Sequence, residues 1–235
     1  DKLADKAWMA RLEGASELLA LVTGEALPQA QREPLHAELV LSQLQTLLAS
    51  EKNVQVAAKL LEGGAALIGC VPRVARASAA RLVGGAVERL AVKQAKRAAA
   101  DALLAAAEAC AAGWILGEVR AAAEAHKSPK VLMESLLFAR ECLESFGAPA
   151  APPQQLVQFG VASADHRDAG VREAAQALLV GVCAAAGSEG VLSSAPIGTL
   201  KETVRNGKAE LAAALALAAE ERRQLEERLL EQANN

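Results

Sequence analysis

Lysine and arginine side chains recur in five short polar segments of this chain. The segments lie around Trp8 and at positions 50–54, 91–96, 126–131 and 164–172. In four of them a cation stands at or just before the start of an expected helix, where the helix dipole favours anions. Such cations do not stabilise their own helix, and with the N–H groups of the helix ends they favour carboxylates of a partner. Any single cation is typical of an exposed turn, but the recurrence predicts a surface that binds an acidic partner.

Residue types that support catalysis or metal binding are few and widely separated. The four cysteines and three histidines are Cys70, Cys110, Cys142 and Cys183, and His36, His126 and His166. Single cysteines within helical patterns are typical of a reduced protein core rather than of a metal site or a disulfide framework. The sequence also contains no phosphate-binding loop and no dinucleotide fingerprint. We therefore predict no enzymatic activity, no cofactor and no metal.

The overall composition favours an all-α protein that binds neither nucleic acid nor membranes. Hydrophobic residues make up 52% of the chain, aromatic residues only 2%, and the formal net charge is −3. Alanine, the best helix former, dominates the apolar residues. The chain lacks the basic excess of nucleic-acid binders, and no apolar run reaches the roughly 18 residues of a membrane helix.

Because the chain begins with Asp1 rather than Met, we expect a fragment of a longer multi-domain protein, and we expect it to be a monomer.

Apolar spacing indicates the helices that must position the basic segments. Val54, Ala58, Leu61 and Ala65 follow the i, i+4, i+7, i+11 spacing of one helix face. The whole pattern predicts a short helix before Trp8 and then helices at 8–23, 29–49, 54–69, 73–90, 95–111, 113–125, 130–146, 152–163 and 171–186. Corresponding helices start about 40 residues apart, which is typical of HEAT-like helix pairs. The sequence therefore predicts an α-solenoid of about five to six such pairs, because each pair buries its apolar face only against its neighbours.

The end of the sequence predicts an additional helix. Residues 196–204 are expected to form a short terminal helix, and residues 208–232 a long amphipathic one with leucines among charges. We therefore divide the chain into a HEAT-repeat domain at 1–204 and a C-terminal amphipathic helix at 205–235. The alanine-rich start of this C-terminal helix favours packing against the last repeat as a cap. A free coiled-coil helix is the alternative, although two or three heptads are few for a coiled coil.

Solenoid geometry would bring the five basic segments together. In an array of helix pairs, every within-pair turn falls on the same long edge. Neighbouring packed helices are ~8–10 Å apart, so the first and last turns would be about 40 Å apart or somewhat more. A span of this size suits a large protein partner rather than a small molecule. The alternative is a general HEAT-repeat scaffold that binds another protein through its helix surface.

At these same turns the sequence resembles a known family. The segment KAWMARLEGASELL at 6–19 is similar to the opening of a TOG domain, the tubulin-binding module of microtubule polymerases, and looks most like the first TOG domain of the ch-TOG-type family. The later turns resemble the family in SEKNVQVAAKLLEG, VKQAKRAA, HKSPKV and HRDAGVREAA. The resemblance covers about residues 3–204. Five such pieces, in order and at matching repeat positions, indicate a TOG domain.

The resemblance implies a partner and a set of site residues. TOG domains bind the free, curved αβ-tubulin heterodimer through the turn edge, with the N-terminal turns on β-tubulin and the C-terminal turns on α-tubulin. By position, Trp8 is then the apolar anchor, supported by Asn53 and Val54. The cations that would pair with acidic tubulin residues are Lys93, Lys96, Lys130 and Arg172, with Arg167 as a further candidate.

The same resemblance implies a cellular setting. The chain is expected to be one module of a microtubule polymerase or plus-end regulator in the cytoplasm and cytoskeleton, at microtubule plus ends, centrosomes or spindle poles. Polymerase activity in this family needs two or more TOG domains and a basic lattice-binding segment. This fragment alone is therefore expected to bind or sequester tubulin.

Overall fold

The computed structural model describes residues 2–24, 34–71 and 76–194 together with Gln224 and Arg228, and it describes only the backbone at 34–36 and 186–194. Within these ranges the chain forms a short 3-10 helix and nine α-helices, and no strand. The elements are the 3-10 helix at Lys2–Ala4, α1 (Trp8–Thr23), α2 (Pro34–Ser50), α3 (Val54–Cys70), α4 (Arg76–Leu90), α5 (Lys96–Cys110), α6 (Ala112–Ala125), α7 (Pro129–Ala150), α8 (Pro153–Ser163) and α9 (Ala169–Ser194). The all-α prediction is confirmed for this part of the chain.

Most predicted helix starts agree with the structure. α1, α3, α5, α6, α7 and α8 begin within about one residue of their predicted positions, which is the usual uncertainty of a helix boundary. The predicted starts at 29 and 73 lie outside the described residues, as do the predicted helix at 196–204 and most of that at 208–232. Gln224 and Arg228 are the described members of this last segment, and both are helical.

One predicted boundary is wrong, and another differs by one residue. The junction between α5 and α6 was predicted at position 112 and lies at Ala111, where φ is 109°, so that Gly113 is buried inside α6. The helix predicted to end at 186 continues to Ser194 as α9. A glycine costs a helix interior only about 1 kcal/mol, so the glycines after 186 do not by themselves end α9. At Gly147, by contrast, φ is 74° and α7 is interrupted where its end was predicted.

The chain divides into two compact units, residues 1–127 and residues 128–235. In the first unit α1, α3 and α5 pack side by side in one layer, and α2, α4 and α6 form a second layer. Near the start of α1, Arg11 contacts Glu51, which lies just before α3; near the other end, the Sγ of Cys70 contacts the carbonyl of Val22. Because contacts join both pairs of ends, α1 and α3 run parallel and begin at the same edge.

Two glycines allow close contact between helices of the first unit. A Cβ at Gly64 of α3 would lie 2.6 Å from Cδ1 of Leu82 in α4. A Cβ at Gly85 of α4 would lie 3.0 Å from Cβ of Leu48 in α2. The second contact holds the end of α4 against the end of α2, so the turns that follow these helices are neighbours.

In the second unit α9 packs against both α7 and α8. A Cβ at Gly170, near the start of α9, would lie 2.9 Å from Sδ of Met133, near the start of α7. Further along, a Cβ at Gly181 of α9 would lie 3.5 Å from Cγ of Arg140 in α7. These contacts occur in the same order along both helices, so α7 and α9 run parallel and begin at one edge of this unit.

The cysteines agree with the predicted core role in three of four cases. Cys110, Cys142 and Cys183 are buried, and Cys70 is half-buried with its Sγ 3.7 Å from the carbonyl oxygen of Val22. Burial raises the thiol pKa of Cys142 to about 12 and that of Cys183 to about 11. These two thiols therefore remain protonated at neutral pH, as expected for packing residues.

Candidate interaction edges

The first unit has one edge at which three helices begin. We define the first edge as Trp8 together with the α2–α3 turn and the first residue of α3, at 51–54, and the α4–α5 turn and the first residue of α5, at 91–96. α1, α3 and α5 start there at Trp8, Val54 and Lys96. This edge therefore brings together five of the predicted site residues, which are Trp8, Asn53, Val54, Lys93 and Lys96.

Two large apolar side chains are exposed at the start of α1. Trp8 is 41% exposed and Met9 is 67% exposed. A tryptophan is a large apolar side chain with one donor, and it is usually well covered in a folded protein. Trp8 thus lies outside the core at the first residue of a helix, and its role as an anchor for a partner stays a prediction.

Arg11 joins the first turn to the second. Its Nε donates to Oε2 of Glu51 at 2.7 Å and its Nη2 donates to Oε1 at 3.0 Å, while its Nη1 donates to the carbonyls of Asp5 and Lys6, each at 2.9 Å. The Glu51 side chain is only 5% exposed. The bidentate bond from Arg11 is the main cause that lowers the pKa of the Glu51 carboxyl below its ordinary value.

Arg89 holds the same turn from the other side. From the last turn of α4, its Nη2 donates to the carbonyl of Leu48 at 2.8 Å and to that of Glu51 at 3.0 Å. These carbonyls lie in the last turn of α2 and in the residue directly after it, where intrahelical donors are lacking. The α2–α3 turn is therefore held by arginines of two other helices. Neither Glu51 nor Arg89 was predicted as a site residue, because their partners are about 40 residues away and no local sequence signal indicates such pairs.

Asn53 and Val54 lie directly after this turn. The Asn53 Oδ1 accepts hydrogen bonds from the backbone N–H groups of Gln55 at 3.0 Å and Val56 at 3.2 Å, so Asn53 is the N-cap of α3. Val54 is half-buried as the first residue of α3. Both residues thus fix the start of α3 at the first edge, and the binding role predicted for them stays a prediction.

The α4–α5 turn presents its cations to solvent. Backbone hydrogen bonds from Ala95 and Lys96 to the carbonyl of Val92, at 2.9 and 2.8 Å, close the turn. Ala95 is buried, whereas Lys93 and Lys96 are exposed. Among the described residues Lys93 makes no side-chain hydrogen bond or ion pair, so its ammonium group is available to a partner.

The second unit has its own edge, where α7 and α9 begin. We define the second edge as residues 128–130 and the α8–α9 turn with the start of α9, residues 164–172. It contains the remaining predicted site residues, Lys130, Arg167 and Arg172. Lys130 and Arg167 are exposed, and their side chains have no hydrogen-bonding or ionic partner in the ranges that the structure describes.

Arg172 is partly engaged within its own turn. Its Nη1 donates to the carbonyls of His166 at 2.9 Å and Arg167 at 3.0 Å. The same turn is ordered by Asp168, whose Oδ1 accepts from the N–H of Val171 at 3.2 Å. In the described part of the chain no carboxylate pairs with Arg172, so its Nε and Nη2 remain for an acidic partner.

In the described ranges no three histidine, cysteine, aspartate or glutamate side chains are grouped so that they could hold a metal ion. None of the helices described there has the length and apolarity that a membrane span requires. The candidate residues are therefore the surface cations and the exposed Trp8 of the two edges.

Comparison with known proteins gives the family. The sequence model of the family described as XMAP215/Dis1/CLASP, TOG domain, matches residues 1–212 of this chain. The chain belongs to this family of TOG domains. The predicted resemblance to TOG domains is thus confirmed, and with it the solenoid of HEAT-like helix pairs, which is the TOG fold.

Individual relatives agree with this assignment. Protein MOR1 of Oryza sativa subsp. japonica is 29% identical over 159 residues, which are 67% of this chain and 8% of MOR1. The TOG domain thus spans a small fraction of that relative's length. The solved structure of Drosophila melanogaster Mini spindles TOG3 has a TM-score of 0.73 at 22% identity, over 94% of this chain and 91% of that one.

A second solved structure comes from a study of TOG-tubulin binding specificity in microtubule dynamics and mitotic spindle formation. It has a TM-score of 0.68 at 16% identity and covers 88% of this chain and 79% of that one. At these identities the two solved structures show that the fold is shared.

Proposed function

We propose that this TOG domain binds the free αβ-tubulin heterodimer through its first and second edges. It would act as one module of a microtubule polymerase or plus-end regulator and have no enzymatic activity of its own. Membership of the TOG family supports this proposal, as does the similar fold of a domain from a study of TOG-tubulin binding. The single observation that carries it is the exposed Trp8 on an edge whose neighbouring turns carry exposed cations.

The first edge supplies the apolar part of the interface. Trp8 is 41% exposed, and a partner that covers the remaining surface of this tryptophan gains an apolar anchor of the kind that dominates many protein interfaces. Arg11 donates to the carbonyls of Asp5 and Lys6, which directly precede α1, and to Glu51 of the next turn. Trp8 is therefore presented from a turn that is already ordered, which lowers the entropy lost on binding.

The second edge supplies mainly charge. Lys130 and Arg167 are exposed, and Arg172 retains donors that point to no carboxylate among the described residues. Together with Lys93 and Lys96 of the first edge, these cations would pair with acidic residues of tubulin. Such pairs mainly accelerate and orient the encounter, so the affinity should fall as the salt concentration rises.

The cellular setting follows from the same proposal. The chain would be a monomeric module within a longer protein, in the cytoplasm and cytoskeleton, at microtubule plus ends, centrosomes or spindle poles. Because one TOG domain offers one binding site, this fragment alone would bind or sequester tubulin rather than promote polymerisation.

Gel filtration with unpolymerised αβ-tubulin at low salt tests the proposal. We expect a one-to-one complex, and we expect Trp8→Ala to weaken it by about 30-fold, which corresponds to about 2 kcal/mol. Leu39→Ala is the matched control, because Leu39 is 61% exposed but lies on α2, outside the first edge. Absence of a complex at micromolar concentration would refute tubulin binding, and equal losses in both variants would refute the role of Trp8.

A further inference from the structure

The two methionines of the chain differ in their exposure to solvent. Met9, the second residue of α1, is 67% exposed, which exceeds the exposure of every other large apolar side chain in the described ranges. Met133 is half-buried in α7, and its Sδ would lie only 2.9 Å from a Cβ at Gly170 of α9. A reagent in solution that reacts with thioethers therefore reaches Met9 more readily than Met133.

The position of Met9 on α1 explains its exposure. The buried residues of this helix are Gly14, Ala15 and Val22. Because successive residues are rotated by about 100° around a helix, Met9 lies roughly 120–140° away from all three. It therefore belongs to the solvent side of α1.

Met9 continues the first edge outward from Trp8. Leu18 faces α3, because a Cβ at Gly63 of that helix would lie 3.7 Å from Cδ2 of Leu18. Met9 is nine residues earlier, which places it roughly 180° from Leu18, on the side of α1 that faces away from α3. Helical side chains lean toward the N-terminus of their helix, and α1 begins at the first edge, so Met9 leans toward that edge. A partner that covers Trp8 and extends past this end of the edge would contact Met9.

Trp8 and Met9 form an apolar pair at the surface. They are consecutive residues, whereas the other exposed large apolar residues, Leu21 and Leu39, lie further along α1 and on α2. Single exposed apolar side chains are ordinary, but adjacent ones at an edge are typical of a contact with a partner. The thioether of methionine is flexible and polarizable, so it adapts to an irregular facing surface.

Oxidation would change the character of this pair. A hydroperoxide transfers its terminal oxygen to the thioether: an S–O bond forms, the O–O bond breaks, and the proton of the terminal oxygen passes to the departing oxygen, which leaves as water or an alcohol. The sulfur loses two electrons and the peroxide gains them. The sulfoxide is polar, so covering it without a hydrogen bond is costly. Methionine sulfoxide reductases reverse the step, with two thiols becoming a disulfide and the oxygen leaving as water.

We propose that Met9 is an oxidation-sensitive contact of the first edge. Its thioether extends the apolar contact that Trp8 makes with αβ-tubulin, and oxidation by a hydroperoxide weakens that contact reversibly. The inference rests on the proposed function, because it names a further contact and a regulation of the same edge. Since Met9 lies outside the core, oxidation alters the affinity for the partner and leaves the stability of the fold unchanged.

Peroxide treatment of the protein before tubulin is added tests the proposal. The protein alone is exposed to hydrogen peroxide, the peroxide is destroyed with catalase, and peptide mass spectrometry measures the sulfoxide at each methionine. Met9 should be oxidised about tenfold faster than Met133, because susceptibility follows exposure. The affinity for unpolymerised αβ-tubulin should then fall by about tenfold. Methionine sulfoxide reductases A and B with dithiothreitol should restore it.

Met9→Leu is the matched control, because leucine keeps an apolar contact but has no sulfur. This variant should bind tubulin about as tightly as the reduced parent and should keep its affinity after peroxide treatment. It retains Trp8 and the half-buried Cys70. A loss of affinity in this variant would assign the effect to another oxidisable group and overturn the proposal. Met133→Leu should respond to peroxide as the parent does.

Three other results would overturn the proposal. They are equal oxidation rates at Met9 and Met133, an unchanged affinity once Met9 is fully oxidised, and a lower free energy of unfolding in the oxidised protein, which would show a loss of structure rather than of a contact. In each case a complex formed by the reduced parent leaves the proposed function standing. If the reduced parent forms no complex, tubulin binding itself is refuted, and the role of Met9 with it.

Discussion

Arg11 of the first edge and Arg172 of the second edge make the same pair of hydrogen bonds. Each is the fourth residue of its helix, and each donates from Nη1 to the carbonyls five and six residues earlier. In both cases the bonds close the turn that leads into the helix. In these Nη1 hydrogen bonds the two turns are equivalent.

The two arginines differ in what their Nε and Nη2 atoms contact. Arg11 uses Nε and Nη2 for a bidentate bond to Glu51, whose side chain is only 5% exposed. In the described residues Arg172 has no such carboxylate. A guanidinium has five N–H donors in a fixed fork, so Arg11 is committed to the protein's own structure, whereas Arg172 retains donors for a partner. A cation at a turn therefore indicates a binding site only if the protein's own carboxylates do not already bind its donors.

The largest effect expected from this difference is on stability in the first unit. Glu51→Ala should lower the free energy of unfolding by about 3 kcal/mol, because it leaves Arg11 and the N–H of Asn53 without their acceptor. Chemical denaturation followed by circular dichroism measures the loss. Glu124→Ala is the control, since it removes a partly exposed pair with Arg120 and should cost about 0.5 kcal/mol. Equal losses in the two variants would mean that the Glu51 contact is no more important than a surface pair.

The next effect concerns binding at the second edge. Arg172→Ala should weaken the proposed tubulin complex by about 2 kcal/mol but lower the free energy of unfolding by only about 1 kcal/mol. Arg11→Ala should show the opposite pattern, with a larger effect on unfolding than on binding. Titration calorimetry and denaturation of the same two variants give both quantities. If Arg172→Ala alters only stability, the two arginines are equivalent and the second edge binds through Arg167 or Lys130 instead.

Much of the fold could be predicted because its signals are local. The starts of α1 and α3 at Trp8 and Val54 follow from apolar spacing and, for α3, from the capping residue Asn53 directly before it. The errors occurred where a local signal was ambiguous. A glycine marks the interruption of α7 at Gly147, where φ is positive, but Gly113 is an interior residue of α6. Sequence alone does not distinguish a glycine that bends the backbone from one that permits close packing.

Less of the candidate edges could be predicted, because the decisive contacts are distant in sequence. The basic turns could be located, but not which of their cations are already engaged. Arg11 and Glu51 are separated by 40 positions, as are many contacts in a solenoid, and neither residue type indicates its partner. Arg89 resembles an ordinary basic residue in the last turn of a helix, yet it caps the preceding helix of its layer. Such engagement depends on the stacking of helices and is visible only in the folded structure.

The smallest effect is a dependence of stability on pH that only the first edge should show. Arg11 lowers the pKa of the Glu51 carboxyl in the folded protein, so this pair stabilises the fold above the ordinary carboxyl pKa and the contribution is lost as the pH falls through the lowered value. The difference in unfolding free energy between the parent and Glu51→Gln should therefore be constant from about pH 7 to pH 5 and shrink below about pH 4. The corresponding difference for Arg172→Gln should not change over this range, because no described carboxylate pairs with Arg172. Denaturation at a series of pH values measures both differences. A parallel pH dependence in the two variants would show that Arg172 has an acidic partner of its own, and the contrast between the two edges would then disappear.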